Sequence, residues 1–73
     1  MSMDNTAPRR VNGEAGEYRA GDLLALVAEY GRDPARRGLA CALNGEVVPR
    51  ARWRQTPVKP GDKVEIVQPL VGG

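Results

Sequence analysis

Several residue types on which function often depends are missing or rare in this sequence of 73 residues. There is no histidine, and Cys41 is the single cysteine. An internal disulfide and a multi-cysteine metal site are therefore excluded, and zinc binding is effectively excluded as well. No apolar run approaches the roughly 20 residues of a membrane span, and residues 1–8 lack the apolar stretch of a secretory signal. We expect a cytoplasmic protein.

Small size and balanced charge restrict the function further. A chain of 73 residues forms one domain at most and buries only about 60% of the surface that its unfolded form exposes. A substrate pocket would use residues that the core needs, so we expect a carrier or binding protein and not an enzyme. The net charge of +2 comes from eleven basic and nine acidic residues that are spread along the chain, with only three aromatic side chains for base stacking. This pattern is typical of a solvated surface and not of a nucleic-acid site.

The first half of the chain predicts a hairpin and a helix. Residues 1–8 offer nothing to bury and are predicted to be disordered. A short strand at residues 9–12 leads into Asn12-Gly13, a dipeptide that favours a two-residue hairpin turn, and residues 17–19 are predicted as the returning strand.

Apolar residues then recur at spacings of three and four, which predicts a helix over residues 23–30. Asp22 is placed to cap its first turn, and Gly31 is placed to end it in a left-handed conformation. These helical apolar residues are Leu23, Leu24, Leu26, Val27 and Tyr30.

The second half predicts three strands. Residues 39–43 alternate larger apolar side chains with alanine, and Asn44-Gly45 then favours a hairpin turn into a strand at residues 46–48. Residues 50–55 are predicted to be irregular or a single turn. Pro60-Gly61 suits a type II turn before a last strand at residues 63–68. The order of elements predicts an α+β domain over residues 9–69, with a mixed sheet of four or five strands around one main helix and a tail at residues 70–73.

Residues 38–50, Trp53, residues 61–67 and Gly72-Gly73 together resemble one known family. Their order and spacing are similar to those of the ubiquitin-like β-grasp sulfur carrier of thiamine biosynthesis, commonly called ThiS. Residues 44–50, with Trp53 close behind, are the most specific part, because a terminal Gly-Gly occurs across ubiquitin-like proteins, including the molybdopterin-synthase small subunit. The first strand departs from the family pattern, since polar residues and Pro8 stand where the family usually has alternating apolar residues.

The resemblance implies that the C-terminal carboxylate of Gly73 is the working group. In the family, an adenylating (ThiF-like) activating enzyme joins this carboxylate to the α-phosphate of ATP, and a sulfur-donating persulfide enzyme supplies the sulfur of a thiocarboxylate. A thiazole synthase (ThiG-like) receives that sulfur. The resemblance thus implies no bound cofactor and no catalytic residue in this chain. The alternatives are a carrier of a related pathway, such as that of molybdopterin, cysteine or a specialised metabolite, and a ubiquitin-like protein modifier.

The tail has a length and composition that suit this use. Five residues from Pro69 to Gly73 can extend by about 16 Å at roughly 3.3 Å each. Gly72 and Gly73 have no side chain and can pass through a narrow channel. Leu70 and Val71 follow the last predicted strand with no core to join, so we expect them to contact the partner in that channel.

Three further side chains are candidates for a functional role. Cys41 alternates with Leu39 and Leu43, which favours an inert place in the core over a persulfide role. Trp53 is interpreted mainly as a core residue, with a partner-facing anchor as the alternative. Arg50 belongs to a group of arginines that could face an acidic partner surface, although such residues are usually just solvated. That group also contains Arg36, Arg37, Arg52 and Arg54.

Overall fold

The computed structural model describes residues 8–68, which form a five-stranded sheet packed against one α-helix and one 3₁₀ helix. The strands are β1 (Arg9–Val11), β2 (Glu14–Gly16), β3 (Ala40–Leu43), β4 (Glu46–Val48) and β5 (Lys63–Val67); the helices are α1 (Leu23–Glu29) and the 3₁₀ helix Arg50–Gln55. The predicted lead-in, apart from Pro8, and the predicted tail lie outside the described residues. No helix within residues 8–68 is long and apolar enough to cross a membrane.

The sheet is mixed, with the strand order β2-β1-β5-β3-β4. β1 runs parallel to β5, whereas the pairs β1–β2, β3–β4 and β3–β5 are antiparallel. The last strand in the chain is therefore the central strand of the sheet, between the two hairpins that the earlier strands form. The predicted mixed sheet around one helix is confirmed.

Helix α1 begins and ends where its capping residues predict. Asp22 has an extended backbone, and its Oδ1 accepts a hydrogen bond of 2.8 Å from the backbone N–H of Ala25, which would otherwise be unsatisfied in the first turn. The helix ends at Glu29 with Tyr30 as its C-cap, and Gly31 follows with φ of +96°. The residues that α1 buries are Leu23, Leu26 and Val27.

The core lies between α1, the inner face of the sheet and the 3₁₀ helix. Trp53, the largest core side chain, is fully buried, and its indole N–H donates a hydrogen bond of 2.8 Å to the backbone oxygen of Val48. Burying the ring with its one polar atom paired avoids the cost of an unsatisfied donor. The buried residues are Val11, Ala20, Leu23, Leu26, Val27, Leu39, Cys41, Trp53, Val58, Val64 and Ile66.

The first hairpin differs from the prediction in its second strand, which is Glu14–Gly16 and not residues 17–19. Asn12 and Gly13 both have positive φ, +53° and +85°, so they form a two-residue turn that places Val11 opposite Glu14. Such a short turn requires pairing to begin at once. Residues 17–19 are instead connected to the helix, since the backbone N–H of Arg19 donates to the Glu29 carboxylate at 2.9 Å.

The other predicted turns and strands are found with shifts of one residue at their ends. Leu39 precedes β3, and Gln68 follows β5. The predicted turn at Pro60-Gly61 is confirmed by φ of +88° at Gly61 and by a 3.0 Å hydrogen bond from the Asp62 N–H to the oxygen of Lys59.

Candidate functional site: the end of the central strand

Strand β5 carries the chain toward its C-terminal residues from the middle of the sheet. It is hydrogen-bonded to β1 on one side and to β3 on the other, with Val64 beside Val11 and Val67 beside Ala40. The predicted site residues Leu70, Val71, Gly72 and Gly73 lie outside the described residues. The described part of the site is therefore the base from which the tail leaves.

The carboxyl end of β5 is held by the side chain of Asn12. Since β1 ends at Val11, the backbone cannot continue the parallel ladder as far as Ile66. The side-chain amide of Asn12 bonds Ile66 in place of a β1 backbone group. The Ile66 N–H donates to Asn12 Oδ1 at 2.8 Å, and Asn12 Nδ2 donates to the Ile66 oxygen at 3.2 Å. Asn12 Nδ2 also lies 3.3 Å from the Tyr30 hydroxyl at the end of α1. The end of β5 is thus connected to both β1 and α1.

The amino end of β5 is held in a related way by Asn44, the first residue of the second Asn-Gly turn. Its φ is +51°, close to that of Asn12. The Lys63 N–H donates to Asn44 Oδ1 at 2.9 Å, and the Asn44 N–H donates to the Lys63 oxygen at 2.7 Å. Asn44 Nδ2 also donates to Asp62 Oδ1 at 3.1 Å. Sequence reasoning identified both dipeptides as turns but missed these bonds, because hairpin preference does not indicate which strand a turn side chain will reach.

The outer face of the sheet, opposite α1, carries a small apolar surface beside the end of β5. We call it the outer patch, and its members are Ala40, Ala42, Val47 and Val67. Val67 lies opposite Ala40 and Val47 lies opposite Ala42 in the strand pairing. Val47 is 76% exposed and Val67 is 60% exposed, and they are the two large apolar side chains that stand out to solvent within residues 8–68.

Polar side chains lie along β5 next to the outer patch. Glu65 pairs across the strands with Ala42, and Lys63 pairs with Arg10, all on the outer side of the sheet. The alternation of small and large residues in β3 predicted the outward direction of Ala40 and Ala42. It did not predict that two exposed valines from neighbouring strands would join them.

Trp53 and Arg50, the candidate partner-facing pair, both make contacts within the chain. Trp53 has no exposed surface, so the core interpretation is confirmed and the alternative of an exposed anchor is wrong for this structure. The Arg50 guanidinium lies 5.2 Å from the centre of the Trp53 ring and donates to the backbone oxygens of Pro34 and Arg36. It therefore covers one side of the tryptophan and ties the loop before β3 to the 3₁₀ helix. A partner contact of Arg50 stays a prediction.

Cys41 lies in the core, as its alternation predicted. It is 2% exposed, and burial raises the pKa of its thiol to about 11, although the nearby Arg50 charge opposes part of the rise. Sulfur chemistry requires the thiolate and access to solvent. The described geometry thus gives Cys41 neither property of a persulfide carrier.

Comparison with known proteins decides the family. A family model described as the ThiS family matches residues 5–73, including both terminal glycines. The chain belongs to the ThiS family. Over 62 residues it is 34% identical to the sulfur carrier protein ThiS of Escherichia coli strain K12, an alignment that covers 85% of this chain and 92% of that protein.

Solved structures of ThiS proteins have the same fold. The crystal structure of the thiamine biosynthesis protein ThiS from Geobacter metallireducens gives a TM-score of 0.69 at 27% identity, covering 90% of this chain and 99% of that one. A solution NMR structure of a thiamine biosynthesis protein from the same organism gives 0.73 at 28% identity, covering 90% and 87%. The predicted ubiquitin-like β-grasp fold is confirmed.

Proposed function

We propose that this ThiS-family chain is a sulfur carrier in thiamine biosynthesis and that the carboxylate of Gly73 is the group that carries the sulfur. The observation that supports this most directly is the family match, which spans residues 5–73. The relative from Escherichia coli is a sulfur carrier protein. The position of β5 adds a physical reason, because a central strand gives the tail a firmly held base.

The chemistry requires activation of the carboxylate, whose charge and poor leaving group make it a weak electrophile. Attack of a carboxylate oxygen on the α-phosphorus of ATP forms an acyl-adenylate and releases pyrophosphate. A persulfide sulfur then attacks the acyl carbon and displaces AMP, and a thiol cleaves the resulting S–S bond to leave the thiocarboxylate and a disulfide. The thiocarboxylate is a better nucleophile than the carboxylate, for the reason that thiolates exceed alkoxides.

In this proposal the chain contributes the reacting carboxylate and acts as a carrier and not as a catalyst. ATP and the persulfide belong to an adenylating ThiF-like enzyme and a sulfur donor, and the acceptor is a ThiG-like thiazole synthase. Cys41 is not the persulfide, since its thiol is buried and its pKa is raised to about 11. A cytoplasmic location is part of the proposal, because the activation step consumes ATP.

The outer patch is the surface on which we place the adenylating enzyme. Val67 is the last residue of β5, and the segment 69–73 begins two residues further on. An enzyme that draws Gly73 into its active site must therefore cover this end of the strand, and Val67 and Val47 offer apolar area there. The six residues that follow Val67 can extend by about 20 Å, so the active site can lie no further than that from this end of the patch.

The decisive experiment incubates the chain with an adenylating enzyme of the thiamine pathway, ATP and a persulfide donor, and measures its intact mass. We expect the replacement of one carboxyl oxygen by sulfur. A chain that lacks Gly73 is the control and should remain unmodified; sulfuration of the shortened terminus would contradict the assignment of Gly73.

A second measurement separates the pathways. The thiocarboxylate form is offered to a thiazole synthase with its other substrates, and thiazole formation is followed. Turnover supports a role in thiamine biosynthesis. Sulfur transfer to a molybdopterin-synthase large subunit instead, or isopeptide-linked products without a thiocarboxylate, would identify one of the alternative functions.

A further inference from the structure

We infer that Asn12 is a positioning residue for the carrier reaction, because its side chain fixes the end of β5, the strand that leads to Gly73. The inference rests on the proposed function of Gly73. It goes beyond that function by assigning a role in delivery to a residue 61 positions earlier in the chain. The Asn12 amide does this through its two hydrogen bonds to Ile66, of 2.8 and 3.2 Å.

These two bonds satisfy backbone groups that the sheet would otherwise leave unpaired. The N–H and C=O of Ile66 both point toward β1, which has already turned away at Asn12. Ile66 is only 6% exposed, so water cannot easily replace a lost partner. Unpaired buried backbone groups favour local opening. Without the Asn12 amide, the pairing with β3 remains but the β1 side is open, so we expect the last residues of β5 to separate from the sheet much more often.

Separation of β5 from Ile66 onward would lengthen the segment that follows the sheet. This segment would grow from six residues, 68–73, to eight, 66–73. The effective concentration of a tethered group falls roughly as the −3/2 power of tether length, which corresponds to about a 1.5-fold loss from length alone. Val67 would also leave the outer patch. The loss would therefore change both the surface proposed to bind the adenylating enzyme and the position of the Gly73 carboxylate.

Asn44 provides the matched comparison. It has nearly the same φ and belongs to the same kind of turn, and its side chain also bonds the backbone of β5. Its contact is with Lys63, however, at the end of β5 that is far from the tail. A purely structural role predicts similar consequences for the loss of either side chain. A positioning role predicts that only the loss of Asn12 affects delivery.

The test compares Asn12→Gly with Asn44→Gly. Glycine accepts positive φ without strain, so each variant removes the side-chain bonds and preserves the turn. Amide hydrogen exchange of the full chain is measured at Ile66 and Lys63. The kcat/KM for carrier-dependent pyrophosphate release is measured with the adenylating enzyme and ATP.

For Asn12→Gly we expect exchange at Ile66 to become at least about tenfold faster and kcat/KM to fall at least about twofold. For Asn44→Gly we expect faster exchange at Lys63 and a kcat/KM close to that of the unmodified chain. Unchanged exchange at Ile66 in Asn12→Gly, or an equal loss of kcat/KM in both variants, would overturn the inference.

Asn12→Asp tests the positioning role of Asn12 if Asn12→Gly does not fold. Aspartate tolerates the same backbone conformation and keeps an acceptor for the Ile66 N–H, but it cannot donate to the Ile66 oxygen. We expect intermediate changes in both measurements, and no change in either would overturn the inference. Failure of the proposed function itself would appear separately, as an unmodified chain that is not adenylated at all.

Discussion

Ile66 and Val67 are neighbours in β5 with opposite surroundings. Both are β-branched and apolar, yet Ile66 is 6% exposed in the core and Val67 is 60% exposed on the outer face. Successive side chains of a strand point to opposite sides of the sheet, so one strand serves two surfaces. The inner face stabilises the domain, whereas the outer face is exposed and is where we propose that the adenylating enzyme binds.

The two faces also differ in the size of their residues. On the inner side, Cys41 and Val64 pack with the helix and with Trp53. On the outer side, the neighbouring positions of β3 are Ala40 and Ala42, which cover little of the sheet. The comparison predicts that inner-face changes reduce stability and that outer-face changes reduce binding.

The largest expected effect is the loss of stability in Trp53→Ala. Removing a fully buried aromatic side chain from a core typically costs about 3–5 kcal/mol, a large part of the stability of a small domain. The change also leaves the Val48 oxygen without the indole N–H. Urea unfolding followed by circular dichroism measures the cost, with Trp53→Phe as the milder control. A loss below about 1 kcal/mol would mean that the inner face contributes less than its burial indicates.

The second prediction concerns thiol reactivity on the two faces. With its pKa raised to about 11 from 9.0, Cys41 has roughly 100-fold less thiolate at pH 8 than an unperturbed thiol, and burial slows its alkylation further. The control places the thiol one residue away, as Ala40→Cys combined with Cys41→Ala. We expect iodoacetamide to label that variant at least about 100-fold faster than the native thiol. Similar rates at pH 8 would contradict the assignment of Cys41 to the core.

The labelling rate of Cys41 should also depend on pH in a specific way. Because the folded state disfavours the thiolate, the rate should reach half its maximum only near pH 11, whereas a thiol with its ordinary pKa reaches half its maximal rate near 9.0. The rate in urea, where the chain is unfolded, provides the reference profile. A folded-state profile centred near 9.0 would show that burial does not perturb this thiol.

A smaller effect is expected for binding through the outer patch. Val67→Glu places a charge in the apolar surface beside the tail, and a desolvated unpaired charge opposes association. We expect the Kd for the adenylating enzyme to rise about tenfold, equivalent to about 1.4 kcal/mol, with little loss of stability. Gln55→Glu, at the exposed end of the 3₁₀ helix, changes the net charge by the same amount and should leave the Kd nearly unchanged. An equal rise of Kd in both variants would indicate that the added charge opposes binding wherever it lies, and that the outer patch is not the binding surface.

The smallest effect is expected for the stability of Val47→Thr. Threonine keeps the β-branched shape, and at a side chain that is 76% exposed the change should lie within about 0.5 kcal/mol. The same substitution at Val64, which is 1% exposed, buries a hydroxyl and should cost about 1–3 kcal/mol. Thermal unfolding of the two variants gives the comparison. A loss for Val47→Thr as large as that for Val64→Thr would remove the distinction between the faces.

The sequence was informative wherever one local signal decided the structure. The apolar spacing and the Asp22 cap predicted α1, and alternation predicted the buried position of Cys41. The prediction of a strand at residues 17–19 was wrong. A two-residue turn requires the two strands to pair immediately, which places the returning strand at Glu14–Gly16.

Contacts between distant residues could not be predicted from local pattern. The bonds from Asn12 to Ile66 and from Asn44 to Lys63 depend on the strand order, in which β5 enters between the two hairpins. The outer patch depends on the same order. The role of Gly73, by contrast, is predicted from the family resemblance, and Gly73 itself lies outside the described residues.

The strand order also makes completion of the sheet depend on β5. The hairpins β1–β2 and β3–β4 pair residues close in sequence and can form early, but within the described sheet they are joined through β5, which pairs with both β1 and β3. A chain cut or stalled before Lys63 would hold two hairpins that are not paired with each other and that keep exposed edges. The sheet is therefore assembled only in chains that include β5, the strand that leads to residues 69–73.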